Sequence, residues 1–365
     1  MSQRLAGVCC VWIVLTFALP PGTGAPAQEN RPGQEGRERL ARSPRQVAEQ
    51  LAVVYGKRLD QVEYIPALPL VAKLRLSEWT REPKYAEEVD RIVAPFLRGE
   101  RTPVPRSGSE QAGLLVFAEL ARRAQGRDRE RWTLLCRNAA DQIFGEDGKP
   151  LPVMPFHSEM SDAVFMAGPI LAATGRLTGE RKYFDAAANH FASMRKLCVR
   201  GDGLYRHSPW CEAAWGRGNG FPALGLALAL SDWPDDHPAR RELIAEFQKH
   251  LAVLKPHQDA RTGCWHQVID HPESYDEYSC TCMIGCAMQR GIRRGWLARN
   301  DYWPCVQRAW RAVKERTSAD GQLVNVCTGK QKTLRDYLQR PAINGRDDRG
   351  GAMGLLFATE LLAEK

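Results

Sequence analysis

Two kinds of helical segment alternate along this chain, and no stretch of any strength alternates apolar and polar residues as a strand would. Helical periodicity is read near 45–57, 65–78, 84–97, 109–125, 128–143, 158–175, 180–198, 218–231, 237–254, 276–297, 301–317 and 348–363. Short breaks rich in Gly, Pro and Asp separate them, as at Gly201-Asp202-Gly203 and Asp232 to Pro238. Segments 158–175, 218–231 and 276–297 are rich in Ala, Gly, Cys and Met, whereas 180–198, 237–254 and 301–317 carry Lys, Arg and Glu on one face. Small apolar helices alternating with amphipathic ones predict an inner ring inside an outer ring. The expected fold is therefore all-α: an α/α toroid of about six hairpins, with a pocket formed by the loops at one end of the inner helices.

The stretch Ser158 to Asp185 bears most directly on function. Asp162 stands in the first turn of a wholly apolar helix, which Gly175 and Thr178-Gly179 end. A carboxylate so placed is ordinarily a helix cap or a partner of the helix dipole. Its neighbours favour more. Before the three inner helices come Met154-Pro155-Phe156-His157, then Gly203 to Phe221 (GLYRHSPWCEAAWGRGNGF), then Thr262 to Thr281 (TGCWHQVIDHPESYDEYSCT). Aromatics, histidines, an arginine and carboxylates gather at these loops and not at those of the outer helices. Aromatic faces stack on pyranose rings and polar edges fix hydroxyls, so a sugar-binding crater is expected.

Residues 1–27 read as a secretory signal: Arg4, an apolar core from Ala6 to Leu19, and small residues ending at Ala25-Pro26-Ala27. A secreted or periplasmic location follows as an expectation. Residues 28–46 hold little to bury and read as a disordered lead-in, leaving 47–365 as one domain. The net charge of +8 reads as a solvated basic surface that also suits an anionic substrate. Neither a nucleic-acid nor a membrane partner is expected, and the oligomeric state is left open. Nine of the eleven cysteines lie beyond the leader. Cys280, Cys282 and Cys286 read as small packing residues rather than metal ligands, since 280 lies off the face shared by the other two. No metal or cofactor is expected.

Four blocks, in order, resemble a known family. They are Ser161-Asp162-Ala163-Val164-Phe165-Met166 with Gly175-Arg176-Leu177-Thr178-Gly179; Gly203-Leu204-Tyr205-Arg206-His207 with Trp215-Gly216-Arg217-Gly218-Asn219-Gly220; Gly263-Cys264-Trp265-His266-Gln267-Val268; and the Gly350 to Leu361 helix. Together they are similar to the unsaturated glycuronyl hydrolases of glycoside hydrolase families 88 and 105, with the unsaturated rhamnogalacturonyl hydrolases the nearer group. The resemblance implies an (α/α)6 barrel and one reaction. A 4,5-unsaturated uronic acid, left by a polysaccharide lyase at the nonreducing end of an oligosaccharide, is removed by hydrating its double bond. An acid protonates C4, water adds at C5, and the hemiketal opens and expels the remaining sugar. Asp162 matches the acid, and desolvation by Trp215 and Met166 would raise its pKa. His207, Trp215, Arg217, Asn219, Trp265 and His266 fall where the family lines its sugar site, with Arg217 the expected holder of the uronate carboxylate.

One departure stands upstream. The family carries a second aspartate at the start of the preceding inner helix, and here Arg106 to Gly113 (RSGSEQAG) holds none. Glu110 is the candidate substitute, also expected at the substrate. Two other readings stay open at this point: another toroid enzyme, such as an exo-glycosidase or an epimerase using His207 and His266 as its acid–base pair, and a noncatalytic sugar-binding protein on a decayed hydrolase fold.

Overall fold

A computed structural model describes residues 32–156 and 158–363; the leader expected over 1–27 lies outside them. The inner helices are α3 (Tyr64–Thr80), the pair α5 (Gly108–Gly113) and α6 (Leu115–Arg123), α8 (Ala163–Thr178), α10 (Gly216–Asp232), α12 (Tyr278–Arg293) and α15 (Asp348–Leu362). The outer helices are α2 (Pro44–Val54), α4 (Lys84–Leu97), α7 (Gly126–Ala140), α9 (Arg181–Cys198), α11 (Arg240–Leu254) and α13 (Arg299–Glu315). Each inner helix packs on the next, and the ring closes because α15 returns to pack on α3. The outer helices clasp it, α9 on α8, α11 on α10, α13 on α12 and α2 on α15. The protein is thus an α/α toroid of six helical hairpins, as the alternation of helix types implies.

The composition of the inner helices makes the ring possible. α8 is buried at every position from Ala163 to Gly175, so it cannot face water on any side. At Gly225 a side chain would place its Cβ only 2.8 Å from the Phe165 Cα, so α10 and α8 approach backbone to backbone. The main core is a cluster of buried side chains that runs from Val47 to Leu361, and a second, smaller one holds Trp215, Val268, Cys327 and Tyr337. All nine cysteines of the described residues are free and buried, and Cys280, Cys282 and Cys286 are packing residues in α12.

Three expectations need correction. The stretch expected as a disordered lead-in is helical over Pro32–Ala41 (α1), which lies on α13. Its exit is anchored there: Arg42 Nη2 donates to the carbonyls of Lys314 at 2.7 Å and Thr317 at 2.6 Å. Carbonyls left over at the end of α13 supply the order that apolar burial could not. The segment read as starting at 158 becomes helical only at Ala163, and the segment read over 109–125 breaks at Leu114. Two short antiparallel hairpins are added, β1 (Trp265–His266) with β2 (Asp276–Glu277), and β3 (Leu323–Val326) with β4 (Ile343–Gly345). Strands this short are below the length at which alternation can be read.

Candidate active site

Asp162 occupies the N-cap position of α8, and its side chain makes no capping hydrogen bond; only its carbonyl serves the helix, accepting from Phe165 N and Met166 N at 3.0 Å. The carboxyl group is therefore not a cap. It is 7% exposed and faces His207, whose Nε2 stands 3.6 Å from Asp162 Oδ2. A backbone hydrogen bond from Ser161 N to His207 O, 2.9 Å, brings the two loops together.

His207 is held on three sides. Its Nδ1 hydrogen-bonds Tyr337 Oη at 3.1 Å, and its ring meets Trp215 edge-on at 5.4 Å. With Tyr337 as donor, the ring proton sits on Nε2 and faces the carboxyl group. Burial, with the charges of Lys330 and Arg340 adding to it, lowers the His207 pKa to about 4. The ring is therefore neutral at neutral pH.

Trp215 precedes α10 and lies 2% exposed beneath two guanidinium groups, Arg217 at 4.9 Å and Arg340 at 5.7 Å from its ring centre. Gly216 lets the chain turn here, since a Cβ would sit 2.5 Å from His266 O. Tyr337 and Arg340 belong to the short helix α14 (Leu334–Gln339) and its C-cap, three residues apart and so on one face. Asp162, His207, Trp215 and Arg217 therefore come together as the sequence predicts, with Tyr337 and Arg340 added.

The other expected site residues are engaged elsewhere. Asn219 donates its amide to Tyr205 O (2.8 Å) and Trp215 O (3.1 Å) and accepts from Tyr205 N (2.9 Å), which locks the loop to α10 and leaves little for a sugar. Trp265 is fully buried, with its indole N–H on Leu254 O at 2.7 Å. The His266 ring turns to Ser274 O, 2.9 Å, among Asp259, Asp276 and Arg316. Asp259, His266 and Asp276 have the types to hold a metal, but Arg316 already binds Asp276 at 2.7 Å and supplies the positive charge. His207 and His266 thus have separate hydrogen-bond partners. Glu110 turns back to accept from Arg106 N at 2.7 Å. The inward residue of α5 is its neighbour Gln111, fully buried, with Oε1 lacking a partner. Gln267 is likewise fully buried with neither amide atom hydrogen-bonded. Helical phase could have singled out Gln111; nothing in the sequence marks Arg340 or Tyr337.

A cavity of about 580 Å³ lies at the other end of the barrel, where the inner helices finish. There Glu360 binds Arg290 and Arg293, and Glu119 binds Arg75 and Arg122. Burial alone would raise the Glu360 pKa, but Arg290, Arg293 and Arg75 hold it at about 2. These pairs offset the negative ends of converging helices. The buried carboxyl group of Asp162 and the neutral imidazole of His207 are at the opposite end.

The Glycosyl Hydrolase Family 88 model matches residues 46–365. This chain belongs to glycosyl hydrolase family 88. It is 28% identical over 241 residues to the unsaturated rhamnogalacturonyl hydrolase YesR of Bacillus subtilis, covering 62% of this chain and 63% of that one. It is 30% identical over 183 residues to an unsaturated 3S-rhamnoglycuronyl hydrolase of Formosa agariphila, covering 44% of this chain and 48% of that one. The chain thus spans about half to three-fifths of the length of these curated relatives. Its fold matches a family 105 glycoside hydrolase of C. acetobutylicum with a TM-score of 0.73 at 20% identity, over 87% of this chain and 98% of that chain. It also matches an unsaturated glucuronyl hydrolase of Streptococcus agalactiae with a TM-score of 0.67 at 13% identity, over 91% and 92% of the two chains.

Three buried histidines make this family 88 member sensitive to acid. Burial lowers the pKa of His190 and His250 to about 4, as it does for His207. His190 Nε2 meets Ala163 O at 2.9 Å and His250 Nε2 meets Asn219 O at 3.0 Å, so both support the starts of inner helices. Each is neutral when folded and has an ordinary value near 6.5 when unfolded. Their stabilisation is complete above pH 6.5 and is lost as pH falls towards 4. At pH 5 each is expected to cost about 1–2 kcal/mol. Urea unfolding at pH 7 and pH 5 measures the loss, and His250→Gln should shrink the difference between the two by that amount.

Proposed function

We propose that this protein is a hydrolase that removes a 4,5-unsaturated uronic acid from the nonreducing end of lyase-generated oligosaccharides. The observation that carries the reading is the Asp162 carboxyl group: buried at a helix start, not capping that helix, and set 3.6 Å from a neutral histidine. Asp162 donates a proton to C4 of the double bond and then accepts one from the water that adds at C5, which returns it to its starting state. His207 positions the carboxyl group without competing for the proton. The hemiketal formed at C5 opens and the glycosidic bond breaks. The names of the Bacillus subtilis and Formosa agariphila relatives fit this reaction and favour a rhamnose-linked uronate. The apolar leader supports a secreted or periplasmic location, where such oligosaccharides are released.

The test is to mix the purified protein with unsaturated disaccharides released by lyases from a rhamnogalacturonan and from a sulfated rhamnoglycuronan. Hydration destroys the conjugated double bond, so ultraviolet absorbance should fall in at least one. Constant absorbance in both, alongside a folded protein, sinks the reading.

A further inference from the structure

Arg340 is a buried cation with half of its hydrogen-bonding edge unused. It is 6% exposed, and no carboxylate stands within ion-pair distance of it among the described residues. Its Nη1 donates to Thr328 O at 3.0 Å, while Nε and Nη2 are buried without partners. Those two N–H groups lie on one edge of the guanidinium and point the same way, the geometry that takes both oxygens of a carboxylate. A guanidinium cannot shed its charge, and unsatisfied buried donors are rare in folded proteins unless a ligand completes them. Arg340 lies 5.1 Å over the Tyr337 ring and 5.7 Å from Trp215, and His207 packs against those same two rings.

Arg217, the arginine that the sequence puts forward, is built in instead. Its Nη1 donates to Cys327 O at 3.1 Å and its Nη2 to Thr328 O, so Nε is its one nitrogen without a partner. Both of its Nη groups are tied to the 327–328 loop, whereas Arg340 has Nε and Nη2 both without partners.

We infer that Arg340, rather than Arg217, grips the carboxylate of the unsaturated uronate through its Nε and Nη2 edge. The inference rests on the proposed function and names the residue that makes this site select an acidic sugar. The carboxylate hangs on C5, so fixing it also fixes the double bond over Asp162.

The experiment compares kcat/KM for one unsaturated rhamnogalacturonyl disaccharide as the free acid and as its methyl ester, in the parent and in Arg340→Met and Arg340→Lys. The parent should prefer the acid. Arg340→Met should lose about 100-fold on the acid while changing the ester only a few-fold, which abolishes the preference. Arg340→Lys keeps the charge without the fork and should fall between. The ratio of the two substrates does not depend on how much of a variant folds. An equal loss on acid and ester, or an acid preference that survives in Arg340→Met, overturns the assignment and leaves the proposed reaction standing. A parent inactive on both compounds overturns the proposed reaction, and this assignment with it.

Discussion

Asp162→Asn should lower turnover of an unsaturated uronyl oligosaccharide by on the order of 10²- to 10⁴-fold, the usual loss when a general acid–base is removed. The melting temperature should hardly move. Asn keeps the size of the side chain and fits a helix start about as well as Asp. It also leaves the carbonyl that serves Phe165 and Met166 in place. A capping aspartate would behave otherwise: Asn would cap about as well, and the substitution would be nearly silent in activity as well as stability. Activity within a few-fold of the parent would leave the chemistry without its acid.

Glu277→Ala should lose both stability and activity. Glu277 is fully buried before α12, where its carboxylate accepts from Ser279 N (2.8 Å), Cys280 N (2.6 Å), the Ser279 hydroxyl and Cys327 N (3.0 Å). It therefore caps a helix and ties down the 327–328 loop in one step. That loop supplies the carbonyls that hold Arg217 and Arg340. Removing the carboxylate strips a cap, which costs about 0.5–2 kcal/mol. It also leaves buried N–H groups unpaired, at about 1–3 kcal/mol each. A loss of roughly 3–5 kcal/mol is expected by urea unfolding. Protein that remains folded should show a raised KM, because both arginines lose their anchor. Unchanged stability would mean that the α12 start and the 327–328 loop are held by something else.

The two predictions separate chemistry from scaffold, and they differ in how readable each was beforehand. Asp162 stood out because a single carboxylate opened an apolar helix, a local pattern. Glu277 lay in a polar run, SYDEYS, that also contains Asp276 and four hydroxyl-bearing residues. Its four donors come partly from Cys327, far along the chain, and no local pattern announces them.

The sequence by itself determined the double ring of helices. Helical period, breaks and the contrast between small-residue and amphipathic segments are all local, and a helix apolar on every side has to be surrounded by others. It also placed Asp162 at the mouth of one inner helix, with His207, Trp215 and Arg217 near it. Only the tertiary structure decided which polar groups face the pocket. Asn219, Trp265, His266 and Glu110 look like ligand residues in a row of letters, yet their hydrogen bonds close on backbone and on neighbouring loops. Arg340 and Gln111 look ordinary, yet both are left with buried, unpartnered atoms. The physical reason is that loop side chains take their direction from contacts between distant segments. Whether a donor is already satisfied depends on which carbonyl the fold brings beside it.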